Sequence, residues 1–338
     1  MGRFKMNKIS KQMLVMVALF GLLFLVVIIS MTTGDFKMSP VTFLRTLFGA
    51  GDETETMILY DFRLPRLLIT IMGGVALALS GAILQSITKN PLADPGIMGI
   101  NAGSGFFIAL LMIFIPVDSS NFIYVLPLFS MIGALITIGV VLKLSYDKKM
   151  GINPVKMILV GIGLSTALSG AMMMLTTTFN KEDVEFISKW LGGEIWGDSW
   201  PFVIMLGLVL LISLPYIMQK LTVLNILNTH DHVATGVGVN LSVERRNAVI
   251  ISVLLCAGAV SVCGSIAFVG LISPHIARQL VGARHERFIP VTIVIGAILL
   301  SFADMVGRLL VSPAGIPAGI LVSIIGAPYF LYLMRKNL

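Results

Sequence analysis

Residues 67–88 read LLITIMGGVALALSGAILQSIT, with Arg66 before them, Lys89 after them and no charged residue between. A helix needs about 20 apolar residues to cross the hydrocarbon of a bilayer, so an uncharged run of 18 or more is a candidate span. Runs without Asp, Glu, Lys or Arg also occupy positions 12–34, 95–117, 119–142, 157–180, 199–219, 247–277, 288–303 and 309–334. These nine uncharged runs, of which only 288–303 is shorter than 18 residues, predict an all-α, polytopic membrane protein in a chain of 338 residues.

The overall composition agrees with this prediction. The chain is 57% hydrophobic and 12% charged, whereas soluble domains carry about 25% charged residues. No long polar linker or low-complexity segment divides it, so we expect one transmembrane domain over residues 1–338. The first run is longer than a signal-peptide core and no small-x-small cleavage site follows it, so we expect a retained first span.

The run 247–277 is too long for one crossing. As a single helix it would reach about 46 Å, more than the hydrocarbon needs. We therefore expect two spans in it, separated by a break to which Gly264, Gly270 and Pro274 contribute. The chain then has about ten transmembrane helices, and both termini lie on the same side.

The loop charges predict which side that is. With the termini inside, the inner segments hold 17 Lys and Arg against 5 Asp and Glu, and the outer segments hold 7 against 12. Cytoplasmic loops of membrane proteins carry an excess of Lys and Arg, so both termini are expected to be cytoplasmic. The net charge of +7 reflects this topology, and no nucleic-acid partner is needed to explain it.

Several classes of chemistry have no motif here. The sequence lacks the G-x-x-x-x-G-K-[ST] phosphate loop, the H-E-x-x-H and G-x-S-x-G motifs and paired-cysteine metal spacings, so no enzyme activity, cofactor or metal site is expected. His230 and His232 could form a metal pair, but two solvated loop histidines are the simpler interpretation. The middles of the runs are almost free of ionisable residues, which argues against an ion-coupled carrier. A partner protein is therefore the expected energy source.

Four local sequences carry a resemblance. They are RLPR at 63–66; NPLADP at 90–95, followed by GINAG at 99–103; FVGLISPH at 268–275; and ADMVGR at 303–308, followed by PAG at 317–319 and GAPYF at 326–330. In this order and spacing they strongly resemble the FecCD family. Its members are permease subunits of ATP-binding-cassette importers for iron-siderophores, haem and cobalamin. The resemblance runs from about residue 13 to residue 336.

The segment 90–95 contains two prolines that forbid a continuous helix, so the second span must end there. Asp94 and Pro95 suit the N-cap and first position of the third span. A simple turn would explain these residues. The resemblance adds that this loop, with the one at 151–154, borders the cytoplasmic exit of the substrate path. It makes Asn90, Leu92 and Asn153 candidates for a gate.

The fifth span carries small residues along one face, at Gly163, Ala167 and Gly170. Small residues allow membrane helices to approach closely, which is one interpretation. The resemblance instead implies that this helix lies beside a central cavity at a dimer axis. The two interpretations are compatible.

The segment 221–246 is the longest predicted inner loop. Without the resemblance it is a solvated connection with two short helices. With it, the segment is similar to the family's coupling loop, and the candidate contacts with an ATPase subunit are Asp231, Ala234, Gly238 and Asn240. Val237 stands where the family more often has leucine.

Arg63, Arg66 and Arg308 lie on a predicted outer face that is otherwise acidic. Any one of them could anchor its helix at the headgroups. The resemblance implies instead that together they receive acidic side chains of a substrate-binding protein, because charge complementarity sets orientation and association rate.

The resemblance also implies the partners and the location. We expect a second permease subunit, identical or homologous, two ATP-binding-cassette ATPase subunits and an extracytoplasmic binding protein, in a bacterial cytoplasmic membrane. The expected substrate is an iron(III)-siderophore, moved by alternating access, with cobalamin or haem as alternatives. An ion-coupled secondary transporter and a structural membrane subunit are the more distant alternatives.

Overall fold

The computed structural model describes residues 8–34, 36–117, 119, 121–147, 151–311 and 315–337. Its α-helices within these residues are α1 (Lys8–Thr32), α2 (Pro40–Leu47), α3 (Glu53–Met57), α4 (Leu64–Thr88), α5 (Ile100–Phe114), α6 (Phe122–Ser145), α7 (Pro154–Thr176), α8 (Lys181–Leu191), α9 (Trp200–Leu227), α10 (Asp231–Gly236), α11 (Leu241–Cys263), α12 (Val269–Val281), α13 (His285–Leu310) and α14 (Ala318–Asn337). A π-helical turn, Ile58–Arg63, joins α3 to α4, and a 3-10 turn, Pro95–Met98, precedes α5.

The prediction of an all-α polytopic membrane protein is confirmed. Eight helices in the described residues are long and apolar enough to span a bilayer: α1, α4, α6, α7, α9, α11, α13 and α14. Helix α5, with 15 residues, is apolar but shorter, and α12, with 13, is shorter still, so eight of the predicted ten spans are matched by helices of spanning length. In the described ranges, β-structure is limited to the antiparallel pair Tyr146–Asp147 and Gly151–Ile152, a hairpin between α6 and α7.

The long run 247–277 is broken as expected, but of the three residues predicted to contribute to the break only Gly264 lies at it. Helix α11 ends at Cys263, where Gly264 has φ +74°, a left-handed backbone that glycine adopts without steric cost. The chain resumes as α12 after Phe268. Gly270 and Pro274 lie inside α12, so the prediction that they contribute to the break was wrong. Gly270 serves packing instead, since its backbone lies against Gly81 of α4.

Helix α4 is the central element of the fold, and 83% of its most apolar stretch is buried. It packs against α9, α11, α12 and α13. Glycines make the closest of these approaches possible: a Cβ on Gly74 would collide with the backbone of Gly296 in α13. Small residues at such crossings increase the van der Waals contact on which helix association in lipid depends.

The structure gathers the charged segments at opposite ends of the bundle. Arg66 and Lys89 lie at the two ends of α4, about 35 Å apart at the helical rise. Arg66 contacts Asp304, and the loop charges assign both residues to the outer side. Lys89 contacts Asp231, likewise assigned to its side. The predicted inner and outer sets are therefore each brought together, and the cytoplasmic position of the termini stays a prediction.

Candidate functional site

The inner end of α4 leads directly into the candidate gate. Asn90 folds the turn that follows, because its side-chain Oδ1 accepts a hydrogen bond from the Leu92 N–H at 2.9 Å. Asp94 then accepts one from the Gly96 N–H at 2.8 Å and caps the 3-10 turn Pro95–Met98. The third span itself begins only at Ile100, so the expectation that Asp94 and Pro95 start that helix was wrong.

The Asp94 carboxyl is buried, with 6% of the residue exposed. Burial raises the pKa of Asp94 to about 6, although hydrogen bonds from the backbone of Gly96 and Phe268 oppose the shift. Burial disfavours the charged carboxylate, so the group titrates close to neutral pH.

Asn90 and Leu92 border a cavity of about 200 Å³ at this end of the bundle. Ile158 and Ile162 of α7 form part of its wall, as does Phe330 of α14. Two of the three gate candidates are thus brought together with α7. The third is not among the lining residues: Asn153 caps the start of α7, accepting hydrogen bonds from the N–H groups of Val155 and Lys156 at 3.0 and 3.2 Å.

The small-residue face of α7 is exposed. Gly163, Ala167 and Gly170 all lie on the surface, and a Cβ added at either glycine would meet no atom within 4 Å. Only 11% of the most apolar stretch of α7 is buried. These small residues therefore do not bring α7 close to another described helix of the same chain, and the face is open to a cavity, a partner or lipid.

The candidate coupling segment is shorter than predicted. Helix α9 continues to Leu227 and α11 begins at Leu241, so the connection covers residues 228–240 instead of 221–246. Asn240 caps α11, accepting a hydrogen bond from the Val243 N–H at 3.2 Å. Gly238 has φ +86° and ends the turn after α10, where a residue with a side chain would be strained.

Helix α10 presents a different face from the one expected. Ala234 is fully buried, whereas Val233 is 54% exposed and Val237 is 62% exposed. Val233 in α10 and Val237 directly after it are therefore the large apolar side chains that this segment offers to another protein, beside the exposed His232, Thr235 and Gly236, and Ala234 packs inward.

Asp231, the first residue of α10, forms ion pairs with two basic side chains that the sequence analysis did not predict as its partners. Its Oδ1 accepts hydrogen bonds from Lys89 Nζ and from Arg245 Nη2, both at 2.7 Å. Partial burial opposes ionisation, but these two bonds together hold the pKa of Asp231 below its usual range. The position of Lys89 directly before the 90–95 motif is the one sequence signal that could have pointed to it.

The outer arginines converge, but two of them are paired within the chain through Asp304. Arg66 donates to Asp304 Oδ1 from Nε at 3.1 Å and from Nη2 at 2.9 Å, and Arg308 Nε donates to Oδ2 at 3.0 Å. Asp304 is only 4% exposed. Arg66 also lies 3.6 Å from Asp198. Burial raises the pKa of Asp198, and the positive charge of Arg66 opposes this shift.

Arg63 is held in another way. Its guanidinium donates to the backbone carbonyls of Met31, near the end of α1, and Phe36. All three arginines line an outer cavity of about 370 Å³, together with Glu194. The cavity can receive an anionic group, provided that the group competes with the carboxylates and carbonyls that already bind these side chains.

Within the described residues, no three His, Cys, Asp or Glu side chains lie close enough together to hold a metal ion. His230 precedes α10 and His232 lies in it.

Comparison with known proteins identifies the family. A model of the FecCD transport family matches residues 22–336. This chain belongs to the FecCD transport family. FecCD relatives include the iron(3+)-hydroxamate import system permease protein FhuG of Bacillus subtilis, which is 36% identical over 98% of this chain and 99% of its own length. The Fe(3+)-citrate import system permease protein YfmE of the same organism is 37% identical, and 97% of each chain is aligned.

The probable heme-iron transport system permease protein IsdF of Staphylococcus aureus is 36% identical, again with 97% of each chain aligned. A solved structure described as an inward-facing metal-chelate type ABC transporter superimposes with a TM-score of 0.82 at 31% identity, covering 95% of this chain and 98% of the other. This FecCD chain is therefore a multi-pass permease subunit of an ATP-binding-cassette importer, and ATP hydrolysis belongs to a separate subunit.

Proposed function

We propose that this chain carries an iron(III)-siderophore across a bacterial cytoplasmic membrane. A dimer of permease subunits would receive the chelate from an extracytoplasmic binding protein at the outer cavity. Two ATPase subunits would bind the inner end and drive alternating access, in which the two ends of the path open in turn.

The observation that carries this proposal is the position of α10. Its exposed Val233 and Val237 offer an apolar contact to a partner, while Asp231 in the same helix is bonded to Lys89 at the start of the gate turn. A force applied to α10 therefore has a direct route to Asn90 and Leu92. This arrangement supports a coupling role for α10 in an ATP-driven permease, whereas an ion-coupled carrier would need no such contact surface.

The second permease subunit is proposed from the surface of α7. A face of Gly163, Ala167 and Gly170 lets another helix approach closely or leaves room for a wide path. Either use requires a second subunit beside this chain. Purification of the complex distinguishes an identical second subunit from a homologous one.

The substrate is proposed from the relatives and from the charge distribution. The relatives named above import hydroxamate-bound iron, iron citrate and haem iron, at 36%, 37% and 36% identity, so identity does not separate them. What they share is chelated iron. The wall of the inner cavity is mostly apolar, which suits weak binding and release. Haem is the second candidate because its permease is as similar as the others.

Uptake into proteoliposomes tests the proposal. The complete transporter, with its binding protein and ATPase, is supplied with radioactive iron as a ferric hydroxamate, as ferric citrate or as haem, and with labelled cobalamin as a fourth substrate. We expect uptake of a ferric siderophore that requires ATP hydrolysis and survives a protonophore. Uptake of haem alone would replace the siderophore while sparing the importer, and uptake that a protonophore abolishes would overturn the ATP-driven mechanism.

A further inference from the structure

Lys89 has an unusual backbone at a junction. It ends α4 with φ +53° and ψ +28°, and its N–H bonds to the Gln85 carbonyl. Among the described residues other than glycine, only Phe268 shares a positive φ with it. A left-handed lysine is uncommon and persists where the surrounding structure holds it in place.

The side chain of Lys89 shows what holds it. Its ammonium and the guanidinium of Arg245 meet on one oxygen of Asp231, each at 2.7 Å. A single carboxylate therefore joins the end of α4, the start of α10 and the first turns of α11. The Arg245 side chain is only 8% exposed.

The energetics of the two bonds differ. The Lys89–Asp231 pair has side chains that are 33% and 46% exposed, and pairs this exposed contribute little to stability. Arg245 is buried, so loss of Asp231 would leave a buried cation without its carboxylate. Arg245 thus fixes the carboxylate, and Lys89 is the partner that can be removed without unfolding the site.

Hydrogen bonds connect the turn after Lys89 to the end of α4. The Asn90 N–H bonds to the Gln85 carbonyl at 3.2 Å, and the Ala93 N–H bonds to the Asn90 carbonyl at 3.2 Å. Pro91 has a fixed φ, and Asn90 holds Leu92. A displacement of Lys89 is therefore passed to the residues that border the inner cavity.

We propose that Lys89 is the positioning residue through which α10 moves the 90–94 turn, with Asp231 as the link. This inference rests on the proposed function, since it requires an ATPase that displaces α10. It assigns to Lys89 a part in energy coupling that is separate from contact with substrate or with the ATPase.

The test uses Lys89→Asn in the complete transporter in proteoliposomes. Asparagine tolerates the left-handed backbone, but its side chain is too short to reach Asp231. We expect ATP hydrolysis stimulated by the loaded binding protein to persist, while the amount of substrate imported per ATP falls about tenfold, within the range of typical coupling effects.

The matched control is Lys220→Met. Lys220 forms the same kind of pair, 2.7 Å from Glu244, but it joins α9 to α11 and does not touch the gate turn. Import per ATP should stay at the wild-type value in this variant. Lys89→Arg, which can still reach Asp231, should restore most of the coupling.

Two results would overturn the inference: wild-type import per ATP in Lys89→Asn, or a Lys89→Arg variant as deficient as Lys89→Asn. If Lys89→Asn does not assemble, Lys89→Met takes its place under the same criteria. The wild-type measurement tests the proposed function separately. Import by the wild type without ATP hydrolysis would refute that function, whereas ATP-dependent import with unaffected Lys89 variants would refute only the role of Lys89.

Discussion

Arg66 and Asp304 are 238 residues apart in the sequence and are joined by two hydrogen bonds from one guanidinium to one carboxylate oxygen. The other oxygen of Asp304 binds Arg308, whose Nη2 reaches Ser30 of α1 at 2.8 Å. The outer end of the bundle is thus fastened by a buried carboxylate that connects α4 and α13, with α1 attached through Arg308. An acidic side chain of a binding protein would have to share these arginines with Asp304.

Asp304→Asn should destabilise the permease. Removal of one member of a buried ion pair typically costs about 3 kcal/mol or more. Here Arg308 loses its carboxylate and Arg66 keeps only Asp198, 3.6 Å away. Thermal unfolding in detergent should show a clear fall in midpoint. Asp61→Asn, at an exposed position on the same side, is the control and should change little. Equal midpoints for Asp304→Asn and wild type would show that Asp304 does not fasten this end.

Arg66→Gln and Arg308→Gln should slow capture of the loaded binding protein. Each change removes a positive charge and keeps a hydrogen-bond donor, so association should fall about tenfold and depend less on salt, since charge steers the encounter. Surface plasmon resonance over a salt series measures both. The control is Arg45→Gln, because Arg45 is an exposed outer arginine that pairs with Glu55. An unchanged rate and salt slope would remove the docking role. Reversal of Arg63 is a poorer test, since Arg63 also holds backbone carbonyls.

Substitution by leucine should have different effects at Gly74 and at Gly163. Gly74→Leu forces a side chain into the backbone of α13 and should prevent a stable fold, because overpacking costs about 1 to 3 kcal/mol even where the neighbours are flexible. Gly163→Leu faces open space and should fold. It should nevertheless impair dimer formation or transport. Size-exclusion chromatography in detergent and uptake distinguish these outcomes, and a Gly163→Leu variant with normal assembly and transport would exclude α7 from both.

Asp94 should make stability depend on pH. Its pKa is raised to about 6 in the folded chain and is near 4 when unfolded. The protonated form therefore stabilises the fold below about pH 4, and this contribution is lost as pH rises through 6, by roughly 2 to 3 kcal/mol. Other groups also titrate in this range, so the test is the difference between the two chains: from pH 4 to pH 7 the wild type should lose stability relative to Asp94→Asn. Parallel profiles would indicate that Asp94 does not titrate in this range.

Cysteines along α10 should report its exposed face. Val233→Cys and Val237→Cys should crosslink to the ATPase, and Ala234→Cys should not, because Ala234 is fully buried. The two native cysteines, Cys256 and Cys263, are also buried and give little background. A membrane-impermeant thiol reagent added to intact cells should label none of these positions. Labelling at 233 or 237 from outside would reverse the predicted orientation.

Hydrophobic run lengths predicted the eight helices of spanning length in the described residues, because crossing a bilayer sets a minimum length. The other two of the predicted ten spans correspond to the shorter α5 and α12. They did not predict where α11 ends, since Gly264, Gly270 and Pro274 are all plausible breaks and only packing against Gly81 shows that Gly270 continues a helix. Nor did they predict the start of α5, because a proline can begin a 3-10 turn as readily as an α-helix.

Single residues of the candidate site were predictable only as far as the end of the bundle at which they lie. The outer arginines were assigned to one face from charge, but their shared partner Asp304 depends on the crossing of α4 and α13. The same holds for Asp231, whose contact with Lys89 spans 142 residues. The inward orientation of Ala234 depends on how α10 is oriented against its neighbours. With about one and a half turns, this helix is too short for a hydrophobic periodicity to define its buried face.

The central position of α4 has a consequence for biosynthesis. Three of its polar side chains find partners made much later: Ser80 bonds to Ser252, Gln85 to the Gly270 carbonyl and Ser86 to His285. At about 5 to 20 residues per second, the ribosome needs roughly 10 to 40 s to make the intervening chain. Helix α4 is thus translated well before the groups that satisfy it, and the C-terminal helices complete the fold of an N-terminal one.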